Sequence, residues 1–286
     1  MSKVDLHLHT TASDGKHTPA ELVRLAASRG LEFIAITDHD TIDGVAPALS
    51  EARKFPGLHV VPGVELSTDV PKGEVHLLGY FIDFEDEQFR AKLAEMRNSR
   101  VNRARKMVEK LGTMGMHVDW KRVQEIAGAG AMGRPHIAQA MLEKGYIRTT
   151  QDAFRNYIGH GGPAYVERDK LTPVEAVGLV LAAGGLPVLA HPFTSGDAEE
   201  TIKELKTAGL VGVEAHYASY SIEQVNMLVG MAAKYSLIAT GGTDYHGIDL
   251  TTETMVGGVD VPVQAVEELN NIAISRGLAK AFGRGF

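Results

Sequence analysis

The sequence predicts an α/β fold in which a barrel is interrupted by a helical insertion. Short apolar runs alternate with amphipathic segments along the chain, which is typical of α/β proteins. A length of 286 residues suits one α/β barrel or two medium-sized domains. The alternation stops between about residue 86 and residue 165 and resumes near Leu171, which indicates an insertion.

Seven short apolar runs are predicted to form the strands of the barrel. Runs of this kind, bounded by polar or turn-forming residues, indicate buried strands. They are Val4–His9, Phe33–Thr37, His59–Val64, Val75–Phe81, Leu186–Ala190, Gly212–Ala215 and Leu237–Thr240.

Several helices carry clear start signals in the sequence. Thr18 and Thr172 are each followed by proline and, at the third helical position, glutamate, which together form a capping box. Ser221 begins a similar pattern without the proline. The first of these helices is predicted over Ala20–Arg29, and Gly30 is the expected stop residue.

The predicted insertion is helical. A long charged helix is expected over Gln88–Leu111, followed by short helical pieces rich in glycine and no clear strand. We therefore expect residues 1–85 and 166–286 to form the barrel and residues 86–165 to form the insertion.

Composition excludes several classes of site. The formal net charge of −7 argues against a surface for general polyanion binding. The chain has no cysteine, so any metal must be bound by His, Asp and Glu, a donor set that suits Zn, Mn or Fe. No apolar run approaches the ~20 residues of a membrane-spanning helix, and the N-terminus lacks the apolar region of a signal peptide. A cytoplasmic location is the default expectation.

The most informative motif is the pair His7 and His9 in the first predicted strand. Residues at i and i+2 of a strand point to the same face, so the two imidazoles should project together, with Asp5 in line behind them and Asp14 five residues further on. Two buried core histidines are the alternative, but each ring would then need its own hydrogen-bond partners. The pair therefore predicts a metal site.

Further metal-ligating residue types follow or lie in successive predicted strands. In a barrel of parallel strands, the carboxyl ends of the strands form one rim, where active sites lie. A ring of such residues around one rim predicts a multinuclear metal site. Its candidates are His39, Glu65, His76, His191, Asp244 and His246.

These motifs resemble those of the polymerase-and-histidinol-phosphatase (PHP) family, in particular its branch that acts on nucleoside phosphates and short RNA. The resemblance extends from the first predicted strand to the last. The matching motifs are Asp5-Leu6-His7-Leu8-His9, Ser13-Asp14-Gly15, Thr37-Asp38-His39, Gly63-Val64-Glu65, His76, Ala190-His191-Pro192 and Thr243-Asp244-Tyr245-His246. It implies a distorted (β/α)7 barrel with a three-metal site.

The resemblance also implies the ligands of each metal. The first metal would be bound by His7, His9, Glu65 and Asp244. The second would share Glu65 as a bridge and also be bound by His76 and His191. The third would be bound by Asp14, His39 and His246. Many family members have histidine at the position of Asp14, and a carboxylate there favours Mn, with Fe or Zn as alternatives.

Two further aspartates, Asp5 and Asp38, are expected to orient ligating imidazoles rather than to bind metal. Their alternative role is to cap the ends of strands.

Residues of the insertion are expected to bind the substrate and to form part of its cleft. Arg134 and His136 lie in a Gly-Arg-Pro-His motif before a helix predicted over Ile137–Glu143, whose N-terminus would offer N–H groups to a phosphate. The resemblance adds Asn102 and Arg103 on the long helix, and Asp14 at the metal site, as further substrate contacts. The alternatives are an arginine packed against the barrel and a solvated basic face.

The resulting hypothesis is metal-dependent hydrolysis of a phosphoester. A hydroxide bridging two metals, held by Glu65, His76, His191 and Asp244, would attack phosphorus. The expected substrate is a 3′,5′-nucleoside bisphosphate that loses its 3′-phosphate, or a short oligoribonucleotide shortened from its 5′ end. No membrane or long duplex is expected as a partner, and a monomer is favoured. The alternatives are a histidinol-phosphate phosphatase, a cyclic-nucleotide phosphodiesterase and a non-catalytic metal-binding domain.

Overall fold

The computed structural model describes residues 2–70, 73–128, 132–167, 171–194, 196–248, 252–278, 280 and 282. Within them, seven strands form one sheet whose spatial order follows the chain. The strands are β1 (Val4–Leu8), β2 (Phe33–Ile36), β3 (His59–Val70), β4 (Gly73–Tyr80), β5 (Leu186–Leu189), β6 (Gly212–Tyr217) and β7 (Ile238–Gly242). All seven predicted strands are confirmed, with bounds shifted by a few residues.

The sheet curves into a nearly closed barrel. After β7 the chain pairs with the end of β1, where the His9 N–H donates to the Tyr245 carbonyl at 3.0 Å and Leu8 forms a parallel bridge with Tyr245. The predicted distorted (β/α)7 barrel is confirmed.

One strand departs from the expected parallel arrangement. β4 runs antiparallel to both β3 and β5, while the other pairs of neighbouring strands are parallel. Only residues 71 and 72 separate β3 from β4, whereas a parallel connection needs a dozen residues or more. The expectation of parallel strands is therefore wrong for β4. The reversal places the first half of β4, with His76, at the rim formed by the carboxyl ends of the parallel strands.

The predicted helix starts are confirmed by their hydrogen bonds. Thr18, Thr172 and Ser221 each form a capping box with the residue three positions later. The helices are α1 (Pro19–Ser28), α2 (Val45–Ala52), α3 (Glu87–Thr113), α4 (Trp120–Ala127), α5 (Arg134–Glu143), α6 (Thr150–Ala153), α7 (Pro173–Ala182), α8 (Ala198–Ala208), α9 (Ile222–Lys234) and α10 (Val263–Ser275). A π-helical turn covers Phe154–Ile158, and a 3₁₀ turn covers Pro192–Thr194.

The chain divides into two compact units. The first, Met1–Ala91 with Leu171–Phe286, contains the barrel, and its core includes apolar residues of the sheet packed with α10. The second, Lys92–Lys170, has a separate core in which Met107, Leu111, Ile137 and Met141 are buried. Among the helices of the described residues, none has the length and apolar character needed to cross a membrane.

Candidate metal centre

Six imidazoles and three carboxylates converge at one rim of the barrel. His7 and His9 project side by side from the end of β1, with ring centroids 5.1 Å apart, and both are fully buried. Gly242 on β7 lies directly against the backbone of His7. Only a glycine fits there, because a Cβ would lie 2.5 Å from the backbone nitrogen of His7. The remaining imidazoles and carboxylates of the ring are His39, His76, His191, His246, Asp14, Glu65 and Asp244.

Glu65 lies at the centre of this ring and its two oxygens face different imidazoles. Oε2 lies 3.2 Å from His7 Nε2 and 3.3 Å from His9 Nε2. Oε1 lies 2.8 Å from His76 Nδ1 and 3.0 Å from His191 Nε2. This division between the two oxygens suits a carboxylate that bridges a first and a second ion.

Asp244 completes the group of ligand atoms around His7 and His9. Its Oδ1 lies 3.3 Å from His7 Nε2 and 3.0 Å from His9 Nε2, and its Oδ2 accepts a hydrogen bond from the Tyr217 hydroxyl at 2.8 Å. Ligand atoms of His7, His9, Glu65 and Asp244 all lie within 4.8 Å of one another, a span that one ion can fill. The structure thus brings together the residues predicted for the first metal.

The residues predicted for the third metal also lie together. Asp14 Oδ1 is 3.4 Å from His246 Nε2, and Asp14 Oδ2 is 3.8 Å from His39 Nε2. His9 belongs to this group as well, since its Nδ1 lies 3.6 Å from Asp14 Oδ1.

His39 is closer to the predicted second site than the sequence suggested. Its Nδ1 lies 3.1 Å from Glu65 Oε2, and His39, Glu65 and His76 form a group of ligand atoms within 4.8 Å. A parallel bridge between His39 and Glu65, in which the Glu65 N–H donates to the Asp38 carbonyl at 3.2 Å, holds the two residues adjacent. His191 lies near that group through its contact with Glu65.

Several buried polar atoms of the ring have no hydrogen-bond partner among the described residues. Leaving such atoms unpaired in a protein interior is costly, and native structures rarely do so. They are both ring nitrogens of His9, Nδ1 of His39, Oδ1 of Asp14 and Oδ1 of Asp244. All four residues belong to groups whose ligand atoms lie within 4.8 Å of one another, and imidazole nitrogen with carboxylate oxygen is a donor set that divalent transition metals prefer. The site therefore fits divalent metal ions.

The charges of the ring keep its carboxylates ionised. Burial raises the pKa of Glu65, but the imidazoles of His39, His7 and His76 outweigh burial and hold that pKa well below its usual range. The neighbouring imidazoles lower the pKa of Asp14 and of Asp244 in the same way, against the effect of burial. Ionised carboxylates are the form that binds a metal.

His191 and His246 are held through Nδ1, which leaves Nε2 of each ring facing the other ligand residues. The Thr194 hydroxyl donates its one hydrogen to the His191 carbonyl at 2.9 Å. In its contact with His191 Nδ1, Thr194 Oγ1 must therefore be the acceptor and Nδ1 must carry the proton. His246 Nδ1 donates to the Asp244 carbonyl at 2.8 Å. His191 and Asp244 have φ angles of 23° and 55°, left-handed values that are rare for non-glycine residues and cluster at functional sites.

Among the described residues, neither Asp5 nor Asp38 is hydrogen-bonded to an imidazole ring, so the expectation that they orient the rings directly is wrong. Asp5 accepts hydrogen bonds from the backbone N–H groups of Thr243 and Gly257 and from the Thr243 hydroxyl, and a longer one of 3.4 Å from the backbone N–H of His7. Asp38 accepts from the Thr10 N–H and from the hydroxyls of Thr10 and Ser13. Both carboxylates fasten loops at the rim, which is the alternative role as strand-end caps.

A buried residue that sequence reasoning missed, Glu214, contacts His7 instead. Glu214 Oε1 accepts from His7 Nδ1 at 2.8 Å, and Oε2 accepts from the His191 N–H at 2.8 Å. A signal was present in the sequence, because Gly212-Val213-Glu214 repeats the tripeptide Gly63-Val64-Glu65 in another strand. A lone glutamate in an apolar strand also requires a buried partner.

The predicted substrate-binding residues of the insertion have partners within their own unit. Arg103 Nε donates to the Val166 carbonyl at 2.8 Å, with its guanidinium 5.2 Å from the Tyr165 ring centroid. The Arg134 guanidinium, in the first turn of α5, lies 5.7 Å from the Phe154 ring centroid. Asn102 is exposed on α3. Substrate binding by these residues stays a prediction.

The expectation of free N–H groups at the start of α5 is wrong for two positions. The Gly133 N–H donates to His136 Nδ1 at 3.0 Å, and the His136 N–H donates to the Gly133 carbonyl at 3.2 Å. Pro135 has no N–H to offer. This turn therefore has fewer N–H groups for a phosphate than expected, and the Arg134 side chain stays the predicted contact.

A barrel with imidazoles and carboxylates grouped at the carboxyl ends of its strands is typical of metal-dependent hydrolases. The profile described as the PHP domain matches residues 5–160, and the chain belongs to the PHP family.

Relatives named for a specific activity are similar over most of the chain. A 3′,5′-nucleoside bisphosphate phosphatase of Chromobacterium violaceum is 32% identical over 86% of this chain and 88% of its own length. The 5′-3′ exoribonuclease Rnm of Escherichia coli is 34% identical over 85% of this chain and 84% of its own. A phosphoribosyl 1,2-cyclic phosphate 1,2-diphosphodiesterase of Eggerthella lenta is 32% identical over 85% and 94%.

A solved structure supports the same class. A protein from Bifidobacterium adolescentis, described as a metal-dependent phosphoesterase, superposes with a TM-score of 0.79 at 30% identity and 96% coverage of both chains. The predicted class, a hydrolase of phosphoric esters that uses divalent metal, is confirmed.

Proposed function

We propose that this protein removes the 3′-phosphate of 3′,5′-nucleoside bisphosphates and shortens short oligoribonucleotides from the 5′ end. The observation that carries the proposal is the convergence of six imidazoles on three ionised carboxylates, with Glu65 between two groups of imidazoles. The relatives named for these two activities support the choice of substrate.

Three divalent ions, with Mn preferred, are the proposed cofactors. His7, His9, Glu65 and Asp244 would hold the first ion. Glu65, His76 and His191 would hold the second, and Asp14, His39 and His246 the third. Bound ions of this kind activate water at neutral pH and neutralise charge on phosphoryl oxygens. The carboxylate of Asp14 adds a hard oxygen donor, which suits Mn.

The chain's own residues would prepare the site for an anionic substrate. Glu65 is buried and Asp244 is partly buried, and their neighbours keep both ionised, so they offset the charge of the ions without a further proton. Tyr217, at the end of β6, donates to Asp244 and orients its carboxylate. In the insertion, the Arg134 guanidinium is the proposed contact of a phosphate group, because it can donate two parallel hydrogen bonds. Asn102, Arg103 and His136 are the further proposed contacts.

Steady-state kinetics with Mn on four substrates tests the proposal. Adenosine 3′,5′-bisphosphate and a short 5′-phosphorylated RNA should show the highest kcat/KM, above histidinol phosphate and a cyclic phosphate ester. A preference for the cyclic ester would instead assign the activity of the Eggerthella relative. Absence of turnover on every phosphoester, with metal bound, would contradict the proposed function.

A further inference from the structure

Glu214 is a buried carboxylate that touches two proposed metal ligands without being one. It is fully buried on β6, and each of its oxygens has a different partner. Oε1 accepts from the ring Nδ1 of His7, and Oε2 accepts from the backbone N–H of His191, both at 2.8 Å. These two histidines belong to the proposed first and second metal sites, on β1 and after β5.

An irregularity in β6 directs this strand toward the ring. The pairing of β6 with β7 shifts between Glu214, which is opposite Thr240, and His216, which is opposite Gly241. The extra residue on β6 is a β-bulge, a feature that often lies beside active sites and changes the direction of side chains. Glu214 and Tyr217, three residues apart, consequently both reach proposed ligands.

The contact with Oε1 determines which nitrogen of His7 can bind a metal. When Nδ1 carries the proton and donates it to Glu214, the lone pair of the neutral ring is on Nε2. His7 Nε2 is the atom that lies 3.2 Å from Glu65 and 3.3 Å from Asp244. A carboxylate behind a ligating histidine is a common way to fix the tautomer and orientation of the ring.

The contact with Oε2 supports the backbone of a strained residue. His191 has a φ of 23°, in the left-handed region that non-glycine residues rarely adopt. Its N–H donates to Glu214, while its ring is held at Nδ1 by Thr194. The strained conformation is the one that brings His191 Nε2 to 3.0 Å from Glu65 Oε1.

We propose that Glu214 is a positioning residue that fixes the metal-binding nitrogen of His7 and the backbone of His191, and thereby links the ligands of two metal ions. The inference rests on the proposed metal assignment of these histidines. It predicts that Glu214 is required for metal affinity although it does not bind the metal.

Glu214→Gln is the sharpest test, because it keeps the shape of the side chain and removes one acceptor. If the amide oxygen accepts from His191, the NH₂ group faces His7 Nδ1 and drives the proton to Nε2, which blocks the metal. If the oxygen accepts from His7, the NH₂ group faces the His191 N–H. In either orientation one ligand is impaired, and we expect metal affinity to fall by roughly 10- to 100-fold.

The measurement is Mn affinity by isothermal titration and bound equivalents by elemental analysis, on protein shown to be folded by circular dichroism. Thr240→Val is the matched control, since Thr240 is the buried β7 partner of Glu214 and its hydroxyl donates to the Val213 carbonyl rather than to a ligand. The control should bind Mn as the wild type does. A folded Glu214→Gln variant with wild-type affinity and stoichiometry would overturn the inference.

A measurement on the wild type keeps the test valid if the variant does not fold. In the Zn-loaded protein, the ring ¹⁵N shifts of His7 should show a protonated Nδ1 and a metal-bound Nε2. A metal-bound Nδ1 would overturn the inference. If the wild type binds no metal, the proposed function fails; if it binds metal and hydrolyses phosphoesters while Glu214→Gln binds equally well, only the inference about Glu214 fails.

Discussion

The rim of the barrel and the insertion both contain clusters of charged side chains, but the clusters differ in how their polar atoms are used. At the rim, several buried nitrogens and oxygens face one another with no hydrogen-bond partner among the described residues. In the insertion, Arg103 Nε and Lys110 donate to backbone carbonyls, and Arg122 pairs with Glu143. The buried atoms without a partner that the described residues show there, such as Arg103 Nη2 and Trp120 Nε1, are N–H donors, which do not bind a metal. Convergent unpaired atoms indicate a ligand, whereas a cation with a structural partner gives no such indication.

The predicted metal ligands at the rim and the predicted substrate contacts in the insertion differ in the same way. Neither ring nitrogen of the buried His9 has a hydrogen-bond partner among the described residues, although carboxylate oxygens of Asp14, Glu65 and Asp244 lie 3.0–3.6 Å away, an arrangement that a bound cation would satisfy. Arg103 donates through Nε to Val166 and lies against the Tyr165 ring, and its buried Nη2, which has no partner among the described residues, is a donor that cannot bind a metal. Substitutions in the two regions should therefore affect different quantities: metal binding for the rim, and substrate binding or folding stability for the insertion.

The largest effect is expected from Glu65→Gln. This change removes the negative charge that faces five imidazoles and the proposed bridge between two ions. Activity should fall by more than the ~100-fold that loss of an outer hydrogen-bond partner causes, and bound Mn should fall with it. Elemental analysis and kcat/KM measure both. A variant that retained its metal and its rate would contradict the central position of Glu65.

A strong pH dependence of metal binding is expected next. In the metal-free protein, burial lowers the pKa of His9, but the carboxylates of Asp244 and Glu65 outweigh it and raise that pKa to about 10. His9 is then protonated at neutral pH, and an ion must displace that proton. Affinity should increase with pH by about tenfold per unit for each proton displaced. Titration calorimetry in buffers of different ionisation enthalpy counts the protons, and a count of zero would refute this expectation.

Arg134→Ala should lower nucleotide turnover without changing metal content. Loss of a hydrogen bond between charged groups costs about 1.5–3 kcal/mol, equal to a fall of roughly 10- to 150-fold in kcat/KM. Arg122→Ala is the matched control in the same unit, because Arg122 is paired on the surface with Glu143 and Glu125. If Arg134→Ala lost metal, or changed turnover no more than the control does, Arg134 would be a structural residue.

The smallest effect on metal binding is expected from Asp38→Asn. Asp38 bonds to Thr10 and Ser13 and to none of the imidazoles through the hydrogen bonds of the described residues. The variant should lose about 1–3 kcal/mol of folding stability at most, with unchanged Mn affinity. Denaturant unfolding and calorimetry measure the two quantities. A large loss of Mn affinity at full folding would restore the role in orienting imidazoles that the structure does not show.

Much of the fold could be predicted because its signals are local. The strands are short apolar runs, and the capping boxes at Thr18, Thr172 and Ser221 lie within four residues of sequence. The antiparallel direction of β4 could also have been predicted, because two residues are too few to connect parallel strands. That prediction needs the end of β3 near Val70, whereas the apolar run in the sequence placed it at Val64.

The hydrogen-bond partners of buried carboxylates could not be predicted in the same way. Asp5 and Asp38 stand beside motif histidines in sequence, yet they bond to loops that the barrel brings to them. Glu214 is 207 residues from His7 and reaches it only through the closure of the barrel and the bulge in β6. The sequence motifs therefore located the proposed metal ligands but not the residues that orient them.

The most direct test of the central claim, that the rim is a multinuclear metal centre, is a titration of metal-free protein. Protein treated with a chelator should have no phosphoesterase activity, and Mn should restore it with a stoichiometry of three ions per chain. Full activity in protein shown by elemental analysis to contain no divalent metal would contradict the account.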